Sequence, residues 1–283
     1  MIPARPSQLP IAITMGDPAG IGPEIIAKAF REDPAVTAGC FVVGDMATLR
    51  RASAVVSGPG RPLIPVAGID APQEAYATPP RCIPVLQTPQ RLGPVAVGRV
   101  SAEAGQAAAD CVVWAAQAAL RKEIGAIVTA PLHKEALAAA GISYPGHTEL
   151  LQAQAAAFLG KTVSDVPVRM MLANDELRTV LLSIHVALRD AIDAVTPENL
   201  LETLRITHES VGALLQRAPR IGVAGLIPTP GRAASLGGKK STSLRRRSKR
   251  RAGPVWMSAV LSHRIPSSCG RGQRQANRGN STW

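Results

Sequence analysis

Aromatic side chains are scarce in this chain of 283 residues: three Phe, three Trp and two Tyr, 3% of the total. Any core must therefore be assembled from the Ala, Val, Leu and Ile within its 46% apolar content. Long hydrophobic runs are also lacking. No stretch approaches the ~18 uninterrupted apolar residues of a membrane-spanning helix, and the opening MIPARPSQLP has no apolar signal-peptide core. Cysteines are few and scattered. Cys40, Cys82, Cys111 and Cys269 form no CxxC pair, which favours free buried thiols in a reducing cytoplasm over disulfides or a cysteine metal site.

Acidic residues are absent from one region altogether. From Leu226 to Trp283 there are 13 Lys or Arg and no Asp or Glu; of 32 basic and 20 acidic residues in all, this leaves 19 and 20 in the first 225. The net charge of +12 thus belongs to a tail, residues 227–283, attached to a near-neutral globular body, residues 1–226. The two need separate accounts.

In the body, apolar runs alternate with helix-forming ones. Ile11–Met15 reads as a strand, followed at once by the glycine turn GDPAGIGPE (16–24) and a helix opened by Pro23 and running to about Arg31. Strand, glycine turn and helix N-terminus together make a corner that suits an anion. The spacing is neither GxGxxG nor a P-loop, so no nucleotide fingerprint is present. Phe41–Gly44 reads as a strand, Met46–Ala54 as a helix, and the Pro- and Gly-rich Ser57–Pro94 as loops and irregular edge strands. Ser101 caps a long helix to about Lys122, with Trp114 in the core. Ile124–Ala130 reads as a strand in the middle of a sheet covered on both faces. Val168–Ala173 and Leu177–Ser183, parted by Asn-Asp-Glu, read as a hairpin. Thr196-Pro197-Glu198 opens a helix to about Gln216, and Arg220–Leu226 reads as a further buried strand. The alternation predicts an α/β fold with a mixed sheet.

The stretch from Thr129 to Glu149, TAPLHKEALAAAGISYPGHTE, is where chemistry concentrates. Loops at the carboxyl ends of strands in α/β folds are the usual ligand positions, and this one brings His133, Lys134, His147 and Thr148 beside Pro and Gly breaks. Lys134 suits a phosphate as a point charge, and Thr148 reads as the cap of the next helix. His185, at the end of the second hairpin strand, is a candidate metal or acid–base residue.

Four motifs, ITMGDPAGIGPE (13–24), VTAPLHKEAL (128–137), AGISYPGHTELL (140–151) and RTVLLSIHVALRDAIDAVTPENL (178–200), resemble in order and spacing the 4-hydroxythreonine-4-phosphate dehydrogenase family of vitamin B6 synthesis. The resemblance covers residues 8–226. It implies a two-domain fold like that of isocitrate and isopropylmalate dehydrogenases, a cytoplasmic homodimer, and a phosphorylated small-molecule substrate. The implied reaction is NAD-dependent oxidation of 4-phosphooxy-L-threonine, followed by decarboxylation to 3-amino-2-oxopropyl phosphate. It also implies a divalent ion (Zn, Mg or Co), whose Lewis acidity stabilises the alkoxide from which hydride leaves. On the matching positions, His147 and Thr148 become substrate-binding, Lys134 and His133 secondary contacts, and His185 the first metal ligand. The resemblance assigns no role to Asp17 or Glu24, and no catalytic or cofactor-binding residue. A relative oxidising threonate or erythronate 4-phosphate would share the same motifs.

The tail departs from the family. Where a LNPHAGEGG-type segment should supply a second metal-binding His, the chain reads LIPTPGRAASLGG, with Thr229 at that position; the third ligand's YHDQG-type motif does not occur. Codons for Glu-Gly-Gly read one base late in a GC-rich gene give Arg-Ala-Ala, as in Arg232-Ala233-Ala234. Codons for an acidic run give Lys-Lys and Ser-Thr, as at 239–242. A frameshift near Leu226 accounts for this order, and the composition predicts disorder. The rival reading of LRRRSKRR (244–251) as a nucleic-acid site lacks interleaved aromatics and a recognisable fold. The expectation is an impaired enzyme, or a pseudo-enzyme that still binds phosphorylated ligands.

Overall fold

A computed structural model describes residues 9–88 and 92–224, together with the backbone of 259–262. The chain divides into two compact units, residues 1–167 and 168–283. Sequence positions 225–258 and 263–283, including Thr229 and the LRRRSKRR run, lie outside the described residues.

The first unit is built on five parallel strands: β1 (Ile11–Thr14), β2 (Cys40–Gly44), β3 (Val66–Ile69), β4 (Ile83–Gln87) and β5 (Ala126–Thr129), in the order β3-β4-β2-β1-β5. β2 is buried along its whole length, as expected for an apolar strand flanked on both sides and covered on both faces. Helix α1 (Gly22–Glu32) buries Pro23, Ile26, Ala27 and Phe30, the three-and-four spacing of one helix face. Helix α2 (Met46–Ser57) starts at once after β2 because the Asp45 carboxylate accepts from the Thr48 N–H at 2.8 Å. Helix α3 (Ala102–Leu120) is capped by Ser101, as the sequence predicts, with the Ser hydroxyl accepting from Ala104 N at 3.1 Å. Trp114 packs edge-on against Phe41, ring centroids 6.0 Å apart, at the margin of the core.

Two sequence expectations need correction here. The Pro- and Gly-rich span holds two strands, and β4 is interior, with Ile83–Leu86 buried between β2 and β3. Pro84 is tolerated because pairing with β2 begins one residue later, at Val42↔Val85. Conversely, among the described residues β5 stands at the edge of this sheet, not in its middle: its one described partner is β1, and Val128 is 50% exposed. An unbroken apolar run marks a strand but does not say how many neighbours it has.

Past β5 come α4 (Lys134–Ala139) and α5 (His147–Leu159). Leu137 and Leu150 from these helices join Ala109 and Val112 of α3 in a second small core. Gly105 lets α4 approach: a Cβ there would lie 2.0 Å from the Ala136 carbonyl oxygen.

The second unit is smaller. Strands β6 (Met171–Ala173) and β7 (Leu177–Val180) form the expected hairpin, its turn closed by Asn174, whose side-chain oxygen accepts from Leu177 N at 2.7 Å and Glu176 N at 2.9 Å. Helix α6 (Leu188–Asp193) follows, then α7 (Pro197–Leu215), capped by Thr196 as expected. Arg169 fastens β6's approach to α7 through Glu202 at 2.7 Å, Thr203 at 2.8 Å and Asn199 at 3.2 Å. Strand β8 (Ala259–Ser262) pairs antiparallel with β7. The strand expected at Arg220–Leu226 does not form over its described residues. Only Gly222 makes an isolated bridge there, because an apolar run without a continuous neighbouring ladder cannot satisfy its backbone as a strand. The α/β class holds; the parallel and antiparallel pairings fall in separate sheets.

Candidate functional site

β2, β3 and β4 all lie on one side of β1, and β5 lies on the other. The carboxyl ends of β1 and β5 therefore flank the point where the chain changes direction across the sheet, the place where open α/β sheets hold ligands. The glycine turn leaves β1 at that end, and TAPLHK leaves β5.

The two loops are fastened together. Asp17 N–H donates to the Pro131 carbonyl at 2.9 Å, and Ala130 N–H to the Thr14 carbonyl at 3.2 Å. Gly16 sits at φ +72°, and a Cβ there would lie 2.3 Å from the Pro131 oxygen, so only glycine fits. Asp17 is spent internally: its carboxylate accepts from Ala19 N–H at 2.8 Å and shapes the turn. This gives a structural role to a residue whose function the motif left open.

His147 opens α5 and is half-buried. Its ring bonds the Ala130 backbone, while Nε2 is buried with no partner, which leaves Nδ1–H as the donor to the Ala130 carbonyl. Burial lowers its pKa below the ordinary 6.5, and the Ala130 bond opposes that shift without reversing it. The ring is therefore neutral at pH 7, with the Nε2 lone pair uncommitted.

Thr148 is the second residue of α5 and exposed, not the cap expected from the sequence. Gly146 holds the cap position and supplies no side-chain hydrogen bond. The helix's first N–H groups are thus left without a side-chain acceptor, beside the Thr148 hydroxyl, a setting suited to an oxyanion. His133 and Lys134 stand exposed at the start of α4. Lys134 has no ion-pair partner among the described residues, so its charge is available at the same end of the sheet. Two atoms that sequence reasoning did not single out join this list. Thr14 Oγ1, at the end of β1, and Glu24 Oε2, in the first turn of α1, are buried without hydrogen-bond partners. No pattern in the sequence marks Thr14, and the motif that contains Glu24 assigns it no role.

His185 belongs to the second unit. It lies exposed in the loop between β7 and α6 at φ +55°, a conformation uncommon for a non-glycine residue. Among the described residues no group of three or more His, Cys, Asp or Glu could hold a metal ion. His185 is thus placed where a loop ligand would be, without described companions, and Thr229 is outside the described residues.

Comparison with known proteins bears on this arrangement. The profile of the family "Pyridoxal phosphate biosynthetic protein PdxA" matches residues 37–247, a span that continues past Leu226 into the stretch departing from the family motifs. The chain is 44% identical over 228 residues to a 4-hydroxythreonine-4-phosphate dehydrogenase of Beijerinckia indica, covering 81% of this chain and 64% of that protein. It is 37% identical over 235 residues to a D-threonate 4-phosphate dehydrogenase of Salmonella typhimurium, covering 83% and 68%. The crystal structure of a 4-hydroxythreonine-4-phosphate dehydrogenase from Klebsiella pneumoniae superposes with a TM-score of 0.72 at 34% identity, over 88% of this chain and 75% of that one. The chain spans about two thirds of the length of the curated relatives it matches.

Proposed function

The chain belongs to the PdxA family, and from that premise we propose that it binds a phosphorylated hydroxy acid at the carboxyl ends of β1 and β5 and takes part in its NAD-dependent oxidation. The favoured substrate is 4-phosphooxy-L-threonine, whose β-keto acid product loses CO2 to give 3-amino-2-oxopropyl phosphate in the synthesis of pyridoxal phosphate. The observation carrying this reading is the switch point itself, where an uncapped α5 N-terminus, the Thr148 hydroxyl and the free Nε2 of His147 stand together.

The free N–H groups of α5 and the Thr148 hydroxyl donate to the phosphoryl oxygens. Neutral His147 carries an uncommitted Nε2 lone pair at the start of α5, which accepts a hydrogen bond from a substrate donor once binding uncovers that atom. Binding of the dianion favours the imidazolium, so Nε2 can also donate once protonated. Lys134 adds an unpaired positive charge that draws the substrate in, and His133 stands beside it. NAD, when bound, supplies the hydride acceptor. For the divalent ion the described residues do not fit: His185 alone does not make a site, since such sites use at least three protein ligands.

The family's homodimer is part of the proposal. Leu172, Val186 and Leu188 of the second unit, 59%, 50% and 79% exposed, are the apolar surface a second copy would cover. A cytoplasmic setting accords with the absence of any helix, among the described residues, long and apolar enough to cross a membrane. A second reading, oxidation of D-threonate 4-phosphate, is favoured by the relatives of that name at 37% to 39% identity.

With Thr229 where the family has a metal-binding His, turnover is reduced. NADH fluorescence with each substrate tests this, the expectation being less than about a hundredth of the ~10 s⁻¹ common among enzymes. A rate near that ordinary value would overturn the impairment. Failure of both compounds to bind would overturn the functional reading.

A further inference from the structure

Arg81 is in an improbable conformation for an arginine. Four non-glycine residues have positive φ among those described: Arg81, Lys122, His185 and Gln216. Lys122 and Gln216 follow the ends of α3 and α7, where a left-handed residue is an ordinary helix stop. Arg81, at φ +63°, is instead the third residue of the turn Pro79-Pro80-Arg81-Cys82, closed by Cys82 N–H donating to the Pro79 carbonyl at 3.2 Å. Proline at the second place and a positive φ at the third make a type II turn, whose third position glycine occupies at least cost. Strain of this kind in a side-chain-bearing residue points to use of the side chain.

The Arg81 side chain borders two cavities at the amino-terminal edge of the sheet, the end opposite the switch point. One, of about 280 Å³, is lined by Arg31, Pro62, Leu63, Ile64, Pro65 and Arg81. The other, of about 290 Å³, includes Thr37, Tyr76 and Thr78. No Asp or Glu lines either. Arg31 is already oriented: its Nη2 donates to the Ser57 hydroxyl and, at 2.8 Å, to the Pro62 carbonyl. Its Nε is buried and has no partner. Arg81 has no hydrogen bond or ion pair among the described residues. Two guanidinium groups with unused donors, no neutralising carboxylate and a fixed backbone make an anion site with an unmet requirement.

We propose that Arg31 and Arg81 form a second anion-binding site, remote from the switch point, that takes the phosphoryl group of a small metabolite. Guanidinium forks match tetrahedral oxyanions with paired hydrogen bonds, and a cavity of about 280 Å³ admits a phosphomonoester. The Arg81 fork donates to the bound group, beside the charge of the Arg31 guanidinium. The alternative, that Arg31 only ties the loop before β3 to the ends of α1 and α2, leaves Arg81 without a purpose for its strain.

Titration of the full chain with inorganic phosphate, read by NMR on the arginine Nε–H signals at constant ionic strength, tests the site directly. The Arg31 and Arg81 signals shift saturably, and sodium chloride at matched ionic strength leaves them in place. Arg81→Gly removes the charge and the strained side chain together, so the variant is at least as heat-stable as the parent while its phosphate affinity at Arg31 falls about tenfold or more. Arg81→Lys keeps a charge without the fork and falls between the two. The proposal is overturned if the two signals ignore phosphate, or if Arg81→Gly leaves the Arg31 response unchanged. His147→Ala does not move this response, which separates the site from the one at the switch point.

Discussion

Asp17 and Pro131 are joined by a backbone hydrogen bond of 2.9 Å, and through it the glycine turn after β1 and the TAPLHK loop after β5 become one structure. The two segments are more than a hundred residues apart in sequence, and each carries part of the candidate site. Their junction allows almost no added volume, which makes it testable.

Gly16→Ala forces a Cβ to 2.3 Å from the Pro131 oxygen at φ +72°. The backbone must move, and the loss of stability is about 2–4 kcal/mol, read from the denaturant midpoint. Gly20→Ala is the control. Its nearest neighbour would be Asp17 Cβ at 3.4 Å, with φ outside the left-handed region, and its effect stays within ~1 kcal/mol. Equal losses at both positions contradict the junction.

Stability depends on pH through His147. Its folded pKa lies below the ordinary 6.5 of the unfolded chain because burial penalises the charged ring. The unfolded state therefore binds the proton more readily, so this contribution is complete above 6.5 and is lost as pH falls from there through the folded pKa. Chemical denaturation across that interval shows a decline on acidification that His147→Gln removes. Substrate works in the opposite direction: a bound phosphoryl dianion raises the ring's pKa, visible as a shift of its NMR titration midpoint to higher pH.

Cys111 is fully buried in α3, and burial pushes its thiol up to about 12. Cys40 and Cys82 are raised for the same reason. The thiolate is the reactive form, so none of the three reacts with iodoacetamide at neutral pH in the folded chain, and all three react in denaturant. Peptide mass spectrometry reads the difference; rapid native labelling of Cys111 would contradict its placement.

In the second unit, Arg169 is the fastening. Its guanidinium, with side chain 12% exposed, meets Glu202 at 2.7 Å and Thr203 at 2.8 Å. Arg169→Ala leaves these acceptors unpaired and costs about 2–3 kcal/mol. Arg205→Ala, which breaks an exposed pair with Glu209, costs less than ~0.5 kcal/mol.

Local signals in the sequence were read correctly where one residue decides the outcome. Ser101 and Thr196 cap their helices, Pro23 sits in the first turn of α1, and Asn174 closes the hairpin. Position within the sheet was not legible. β4 is interior despite Pro84, and β5 is an edge among the described strands despite its apolar run, because neighbours are chosen by the chain's path and not by composition. Thr148 lost its capping role to Gly146 for a related reason: helix onset depends on the backbone entry angle, which a Thr in the right place does not fix. The motif pointed to His147 and Thr148, but the bond to Ala130, the bare Nε2 and the buried orphan atoms of Thr14 and Glu24 arise from contacts between distant segments.

The central claim is that the switch point between β1 and β5 holds a phosphorylated hydroxy acid through His147 and Thr148. Isothermal titration of the full chain with 4-phosphooxy-L-threonine tests it most directly. The account predicts saturable binding that His147→Ala and Thr148→Ala each weaken by about tenfold. Binding equally tight in the parent and in both switch-point variants, or no binding at all, would contradict it.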